Sequence, residues 1–103
     1  MKAKLLPLFT ALVAAATGAI AADGKTIATD NGCMACHSPG EPMIGPSFEK
    51  ISARYQGKAD AQKVLLQSIK GGSRGKWGVM VMKSDTKLSD DDARVVVDWL
   101  LAK

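Results

Sequence analysis

The sequence predicts a small all-α domain, and three observations support that class. Several segments place apolar residues at intervals of three and four, which is the spacing of one helix face. Nowhere do apolar and polar residues alternate over a stretch long enough to indicate a strand. After an N-terminal export segment is set aside, about 82 residues remain, which is enough for one small domain.

The first 22 residues are predicted to be a cleaved secretory signal peptide, which leaves residues 23–103 as the folded domain. Two lysines open the chain, an apolar run follows over residues 5–16, and Ala19-Ile20-Ala21 supplies a small-x-small cleavage pattern. We therefore expect a cut after Ala21 or Ala22. The alternative is a membrane anchor, but the apolar stretch is short and alanine-rich for a span of about 20 residues.

The charge of the chain gives no indication of a nucleic-acid partner. The whole sequence carries 14 basic and 10 acidic residues, for a formal net charge of +4. Cleavage of the signal would remove Lys2 and Lys4 and leave an excess of about two positive charges. So small an excess does not indicate nucleic-acid binding.

The first predicted helix is short and covers residues 24–31, with Asp23 as its N-cap. Gly32 then gives the backbone the freedom to turn. Residues 38–46 contain three prolines and two glycines, so they are predicted to form a loop.

Two helices are predicted in the middle of the chain. The first spans residues 47–55, with its first residue as the cap and with Phe48 and Ile51 on one face. The second spans residues 60–70 and stops at Gly71-Gly72. It keeps apolar residues at helical spacing at Ala61, Val64, Leu65 and Ile69.

The last helix, over residues 89–103, has the strongest helical pattern. Ser89 and Asp92 resemble a capping box, and the neighbouring aspartates suit a helix N-terminus. Trp99 is expected to pack in the core. The apolar face repeats at intervals of three and four through Ala93, Val96, Val97, Leu100 and Leu101.

The segment Cys33-Met34-Ala35-Cys36-His37 contains both cysteines and the one histidine of the sequence. Two thiols three positions apart, followed at once by a histidine, form the pattern of c-type haem attachment. Each thiol would add to one vinyl group of the haem, and His37 would be an axial ligand of the iron. The sequence therefore predicts one covalently bound haem c with its iron.

Other interpretations of the same motif explain less. A zinc site usually needs about four ligands, and the chain has no second Cys/His pair. A thioredoxin-like motif would accompany a βαβ pattern, which is absent. A disulfide between Cys33 and Cys36 suits an exported protein but gives no reason for His37.

The second axial ligand is expected to be a methionine, because the sequence has no other histidine. Met34 lies inside the attachment motif and Met43 lies in the Pro/Gly loop. Met80 and Met82 lie in the glycine-containing loop before the last helix. Alternate residues of an extended stretch share a face, so the pattern alone does not choose between Met80 and Met82. For a single methionine, filling a gap in the core is the ordinary role.

Taken together, the chain resembles a class I c-type cytochrome, of the short bacterial periplasmic kind called c551-type. The resemblance covers residues 22–103 and implies about four short helices wrapped around a covalently attached haem. Besides the attachment motif, it depends on Gly45-Pro46, Gly71-Gly72-Ser73, Trp77-Gly78 and Leu88-Ser89-Asp90-Asp91-Asp92-Ala93.

The resemblance also implies roles for particular residues. The family has its ligand in a segment like Trp-Gly-Pro-x-Pro-Met, and that register assigns Met82 to the iron. It implies that the Pro46 carbonyl accepts a hydrogen bond from the His37 ring. It further implies that Arg54 and Trp77 approach a haem propionate.

This chain departs from the family pattern at two places. Val79 and Val81 stand where the loop has prolines, which would restrict the loop when it is detached from the iron. Ala28 stands where an aromatic residue often packs against the last helix. The sequence therefore does not predict how the first and last helices make contact.

The function implied is that of a soluble, monomeric, periplasmic one-electron carrier rather than an enzyme. Its expected partners are redox proteins: a donor such as a membrane cytochrome complex, and an acceptor such as a terminal oxidase, nitrite reductase or peroxidase. Neither nucleic acid nor stable membrane insertion after cleavage is expected. A basic rim, defined as Lys70, Arg74, Lys76 and Lys83, is a candidate for steering the partner.

Two other functions are less consistent with these residues. A five-coordinate gas sensor or weak peroxidase needs an open sixth position, and the two thioethers of the loop argue against one. A membrane-tethered carrier differs only in the fate of the signal segment.

Overall fold

The computed structural model describes residues 23–102 as a helical domain. It contains four α-helices, which are α1 (Gly24–Asp30), α2 (Phe48–Tyr55), α3 (Ala61–Gly71) and α4 (Asp90–Leu101), and a 3₁₀ turn at Cys33–Ala35. The predicted all-α class is confirmed. Within the described part of the chain, none of the helices has the length and apolar character needed to cross a bilayer. The predicted signal peptide lies outside the described residues.

Local side-chain caps fix the starts of three helices. The Asp23 carboxylate accepts a hydrogen bond from Thr26 N at 2.8 Å, and this bond holds the pKa of Asp23 below its usual range. The Ser47 and Ser89 hydroxyls accept bonds from the backbone amides at the third position of α2 and α4, at 3.2 and 3.1 Å. Each observed start lies within one residue of the predicted one.

Helix α4 is the centre of the packing, because it contacts α1, α2 and α3. Its buried face consists of Ala93, Val96, Val97 and Leu100, and Val97 is fully enclosed. Burial of each valine or leucine contributes about 1.5–3 kcal/mol. The predicted apolar face of this helix is therefore the face that holds the domain together.

Small residues bring α1 close to α4. Gly24 and Ala28 are buried, and a Cβ atom on Gly24 would lie only 2.2 Å from Trp99 Cβ. Trp99 also packs edge-on against Phe48 of α2, with ring centroids 5.1 Å apart. The contact between α1 and α4, which the sequence does not predict, is thus made by close approach of the two helices. The aromatic ring in this contact is that of Trp99 in α4.

Residues 72–88, here called the methionine loop, join α3 to α4. Gly72 opens it with a φ of 83°, and Ser73 and Met82 then pair through two backbone hydrogen bonds of 3.0 and 2.9 Å. At its other end Asp85 N donates to Ile69 O at 2.8 Å. The Ser73–Met82 pairing therefore closes the loop on itself, and the bond to Ile69 O attaches its later part to α3.

Candidate haem site

The attachment motif forms a tight turn that brings two thiols and a histidine together. Gly32 adopts the left-handed conformation with a φ of 78°, and the Cys33 carbonyl accepts from Cys36 N at 3.2 Å and from His37 N at 3.0 Å. Both thiols are free and half-buried. Burial, with a smaller contribution from the Asp85 carboxylate, raises the pKa of the Cys33 thiol. Before attachment, the Cys33 thiol is thus harder to ionise than an exposed cysteine.

The His37 ring is held in a fixed orientation. It is only 8 % exposed, it stacks on Phe48 with centroids 5.4 Å apart, and its Nδ1 lies 2.6 Å from Pro46 O. A carbonyl can only accept, so Nδ1 carries the proton and donates. The lone pair of Nε2 is then available to a metal ion, which is the arrangement that ligating histidines usually show.

Gly45 is the residue that lets the loop pass close to this ring. Its amide donates to Cys36 O at 2.8 Å, and a Cβ atom at this position would lie 2.6 Å from His37 Cε1. Any other side chain would have to displace the imidazole or the loop. The Gly45-Pro46 pair therefore combines close approach with the carbonyl that accepts from His37.

The structure distinguishes the two methionines of the methionine loop. Met82 is half-buried and packs against the hydrophobic core, whereas Met80 is 51 % exposed. The backbone pairing of Met82 with Ser73 also fixes its position. Of the other candidates, Met43 is exposed, and Met34 packs against the core within the attachment motif.

Arg54 and Trp77 are in contact, as is expected of two residues predicted to approach a haem propionate. The Arg54 guanidinium carbon lies 4.4 Å from the centroid of the Trp77 ring, and Arg54 Nη1 donates to Lys76 O at 2.5 Å. Cys33, Trp77 and Met82 all pack against the same hydrophobic core. The attachment turn and the methionine loop therefore border one core.

The four residues of the basic rim differ in the contacts that their charged groups make. Lys70 pairs with Asp90 at 3.3 Å and donates to Leu88 O, and Lys76 Nζ donates to Ser68 Oγ at 3.1 Å. Arg74 and Lys83 are exposed. Two members of the rim therefore have structural contacts, and the other two present their charge to solvent.

Sequence reasoning missed some contributors to the site. The sequence predicts that Phe48 lies on a helix face but does not connect it with the His37 ring, and it indicates only a surface charge for Lys76. Neither contact has a local signature, because Phe48 meets the histidine across the 38–46 loop, and Lys76 meets Ser68 of α3.

The residues present fit haem c. Two unpaired thiols stand three positions apart, a buried imidazole keeps one nitrogen available, and a thioether lies half-buried beside the same core. Thiols for covalent attachment and a histidine with a methionine as axial ligands are the donor set of a c-type haem.

Comparison with known proteins identifies the family. The family model described as cytochrome c matches residues 21–102. The chain is 36 % identical to cytochrome c-551 of Pseudomonas aeruginosa over 99 residues, covering 96 % of this chain and 94 % of that protein. It is 39 % identical to cytochrome c-552 of Nitrosomonas europaea over 101 residues, covering 98 % of this chain and 97 % of that protein.

Solved structures show the same fold. The crystal structure of wild-type Nitrosomonas europaea cytochrome c552 superposes with a TM-score of 0.71 at 41 % identity, covering 74 % of this chain and 94 % of that one. The class 1 cytochrome MtoD of Sideroxydans lithotrophicus superposes with a TM-score of 0.67 at 31 % identity, covering 77 % and 90 %. The predicted haem c is confirmed as the cofactor of this family. The chain belongs to the cytochrome c family, as a class I c-type cytochrome of the c551 type.

Proposed function

We propose that the protein is a soluble periplasmic one-electron carrier whose haem iron is bound by His37 and Met82. Membership of the cytochrome c family supports a haem-based electron carrier. The observation that supports the ligand assignment best is the buried His37 ring, whose Nδ1 donates to Pro46 O and leaves Nε2 available.

When bound, the haem supplies a couple between Fe(II) and Fe(III) that takes up and releases one electron. The contribution of the chain is to hold the ligands in place. His37 is held by Pro46 and by the face of Phe48, so its ring need not reorient when the charge of the iron changes. A soft thioether sulfur favours the reduced state and so raises the potential.

Met82 is proposed as the second ligand in preference to Met80. Its backbone is fixed to Ser73 and its side chain faces the core, whereas the Met80 side chain is largely in solvent. With both axial positions filled, the protein would have no open position for a substrate. A carrier is therefore proposed, and no catalytic residue is assigned.

The ligand assignment is tested by single and double methionine substitutions in the holoprotein. Met82→Ala should remove the weak sulfur-to-iron charge-transfer band of the oxidised protein and lower the potential. Met80→Ala should keep the band, because the exposed side chain is not needed for ligation. Absorption spectra and redox titration measure both properties.

The double variant resolves the case in which Met80 moves in when Met82 is removed. A band that survives in Met82→Ala and disappears in the double variant would indicate such a replacement. If the band survives in the double variant, neither methionine is the ligand, and Met43 becomes the next candidate. If the wild-type protein shows no band and binds carbon monoxide readily, the iron is five-coordinate and the carrier proposal is wrong.

The cellular role follows from the predicted export signal. The mature protein is expected to be a periplasmic monomer that begins at Ala22 or Asp23. It would take electrons from a donor such as a membrane cytochrome complex. It would pass them to a terminal oxidase, nitrite reductase or peroxidase. The intact mass of the periplasmic protein tests this assignment, and recovery only from membranes with residues 1–21 retained would favour a tethered carrier.

A further inference from the structure

The part of the methionine loop that leads into Met82 has little burial to hold it. Val79 is 95 % exposed, and Met80 and Val81 are about half-exposed. Val79 and Val81 also replace the prolines that would restrict this segment in the family motif. Few buried contacts and a flexible backbone are the features of a segment that opens easily.

The neighbouring pair Lys76-Trp77 lies between two glycines with positive φ. Gly75 has a φ of 77° and Gly78 a φ of 91°. Glycine reaches this region readily and is also the residue with the greatest conformational freedom. The backbone alone therefore does not fix the pair, and its position has to come from contacts with other elements.

Arg54, on the last turn of α2, supplies two such contacts at once. Its Nη1 donates to Lys76 O at 2.5 Å, and its guanidinium lies over the Trp77 ring at 4.4 Å. A planar guanidinium can stack on an aromatic face and donate in its own plane, whereas a lysine ammonium cannot do both. The contact spans 22 positions of sequence, so it joins the loop to a distant helix.

A second contact holds the same pair from α3. Lys76 Nζ donates to Ser68 Oγ at 3.1 Å, and the buried Ser68 hydroxyl itself donates to Val64 O at 3.0 Å. The pair is thus held between α2 and α3. The exposed segment that follows is fixed again only at Met82, by its pairing with Ser73.

We propose that Arg54 is a positioning residue, which clamps Lys76-Trp77 to α2 and so restrains the methionine loop that contains Met82. The clamp limits the conformational freedom of the methionine loop, as the prolines of the family motif would do. This inference depends on the proposed function only in assigning Met82 as the ligand that the loop delivers.

The test compares Arg54→Ala and Arg54→Lys with Lys50→Ala in the holoprotein. Lys50 is an exposed cation on the same helix, so it controls for the loss of one positive charge. Two properties are measured: the exchange of the Ser73 and Met82 amides, whose hydrogen bonds close the loop, and the affinity of the oxidised protein for imidazole. Imidazole binds the iron only when the methionine is displaced.

Arg54→Ala should increase both amide exchange and imidazole affinity by about tenfold, from the loss of one cation–π contact and one charge-assisted hydrogen bond. Arg54→Lys should behave like Arg54→Ala, because it keeps the charge and loses the planar fork. Lys50→Ala should change neither property. Adding Val79→Pro and Val81→Pro to Arg54→Ala should recover most of the loss.

Several results would overturn the proposal. Amide exchange unchanged in Arg54→Ala, or raised equally in Lys50→Ala, would show that Arg54 does not hold the loop. Wild-type behaviour of Arg54→Lys would show that its charge matters and its stacking does not. Raised amide exchange without any change in imidazole affinity would instead support the clamp and contradict Met82 as the ligand.

Discussion

At the scale of single residues, the orientation of one imidazole depends on three neighbours. The Pro46 carbonyl accepts a hydrogen bond from Nδ1, Phe48 covers a face of the ring, and Gly45 leaves the space that the ring occupies. The family resemblance implied the first of these contacts. The other two need the three-dimensional structure, because a glycine or a phenylalanine in a sequence does not indicate which side chain it faces.

Gly45→Ala is predicted to destabilise the protein through His37. The added Cβ would lie 2.6 Å from Cε1 and 2.9 Å from Nδ1, so the ring must move and its bond to Pro46 must weaken. We expect the free energy of unfolding to fall by about 1–3 kcal/mol, as for other over-packed sites. Guanidinium unfolding of the oxidised holoprotein measures the change.

Gly71→Ala is the control for that substitution. A Cβ atom at Gly71 has no neighbour within 4 Å, and the residue ends α3. This variant should be neutral or more stable by about 0.4–1 kcal/mol, because alanine restricts the unfolded chain. Equal losses in the two variants would show that the effect is not specific to the ring of His37.

At the scale of elements, helix starts were predictable and helix packing was not. A cap is read from residues a few positions apart, as at Asp23, Ser47 and Ser89. The contact of α1 with α4 depends on which side chain fills the space above Gly24, and Trp99 lies far away in sequence. The methionine loop could not be derived either, since a side chain of α2 and the backbone of α3 hold it.

Gly24→Ala is predicted to weaken the packing of α1 on α4. In an exposed helix this change would be stabilising, by up to about 1 kcal/mol. Here the new Cβ would lie 2.2 Å from Trp99 Cβ and 2.9 Å from Val95 O, so the helices must separate. We expect a net loss of about 1–3 kcal/mol in the free energy of unfolding and a changed near-ultraviolet signal from Trp99.

Lys25→Ala, at the next and exposed position of α1, is the matched control. It should leave both the stability and the tryptophan signal close to those of the parent protein. If Gly24→Ala raised stability as ordinary helix propensity would, close contact between the helices would not be a requirement of this fold.

At the scale of the whole molecule, the domain is small for the proposed task of holding two axial ligands in fixed positions. Chains of this length bury a limited core and commonly need a covalent or metal-based staple. The attachment turn and the half-buried Met82 pack against the hydrophobic core, so a haem held by them would add its apolar surface to that core. Without haem we expect the chain to fold poorly, because the free energy of binding is then part of the free energy of folding.

The holoprotein is expected to carry little net charge. Cleavage of the predicted signal would leave an excess of about two positive charges, and two ionised propionates would bring such a holoprotein near neutral. Long-range attraction of a charged partner must then depend on where the charges lie on the surface and not on the net charge. Within the basic rim, Lys70 contacts Asp90 and Lys76 contacts Ser68, so the exposed pair Arg74 and Lys83 is the part most available to a partner.

Electron transfer to an anionic oxidant is predicted to depend on salt through this exposed pair. Screening shortens the reach of surface charges from about 30 Å at 0.01 M to about 3 Å at 1 M ionic strength. The rate constant for oxidation of the reduced protein by ferricyanide, a small anion, should therefore fall by about tenfold over that range. The double variant Arg74→Gln, Lys83→Gln should lose most of this dependence of the rate constant on salt. The control double variant Lys25→Gln, Lys63→Gln removes the same charge from α1 and α3 and should keep the salt dependence of the parent protein. If the rate constant of the parent protein does not change with salt, or if the two double variants behave alike, the basic rim does not steer the oxidant and serves only for solubility.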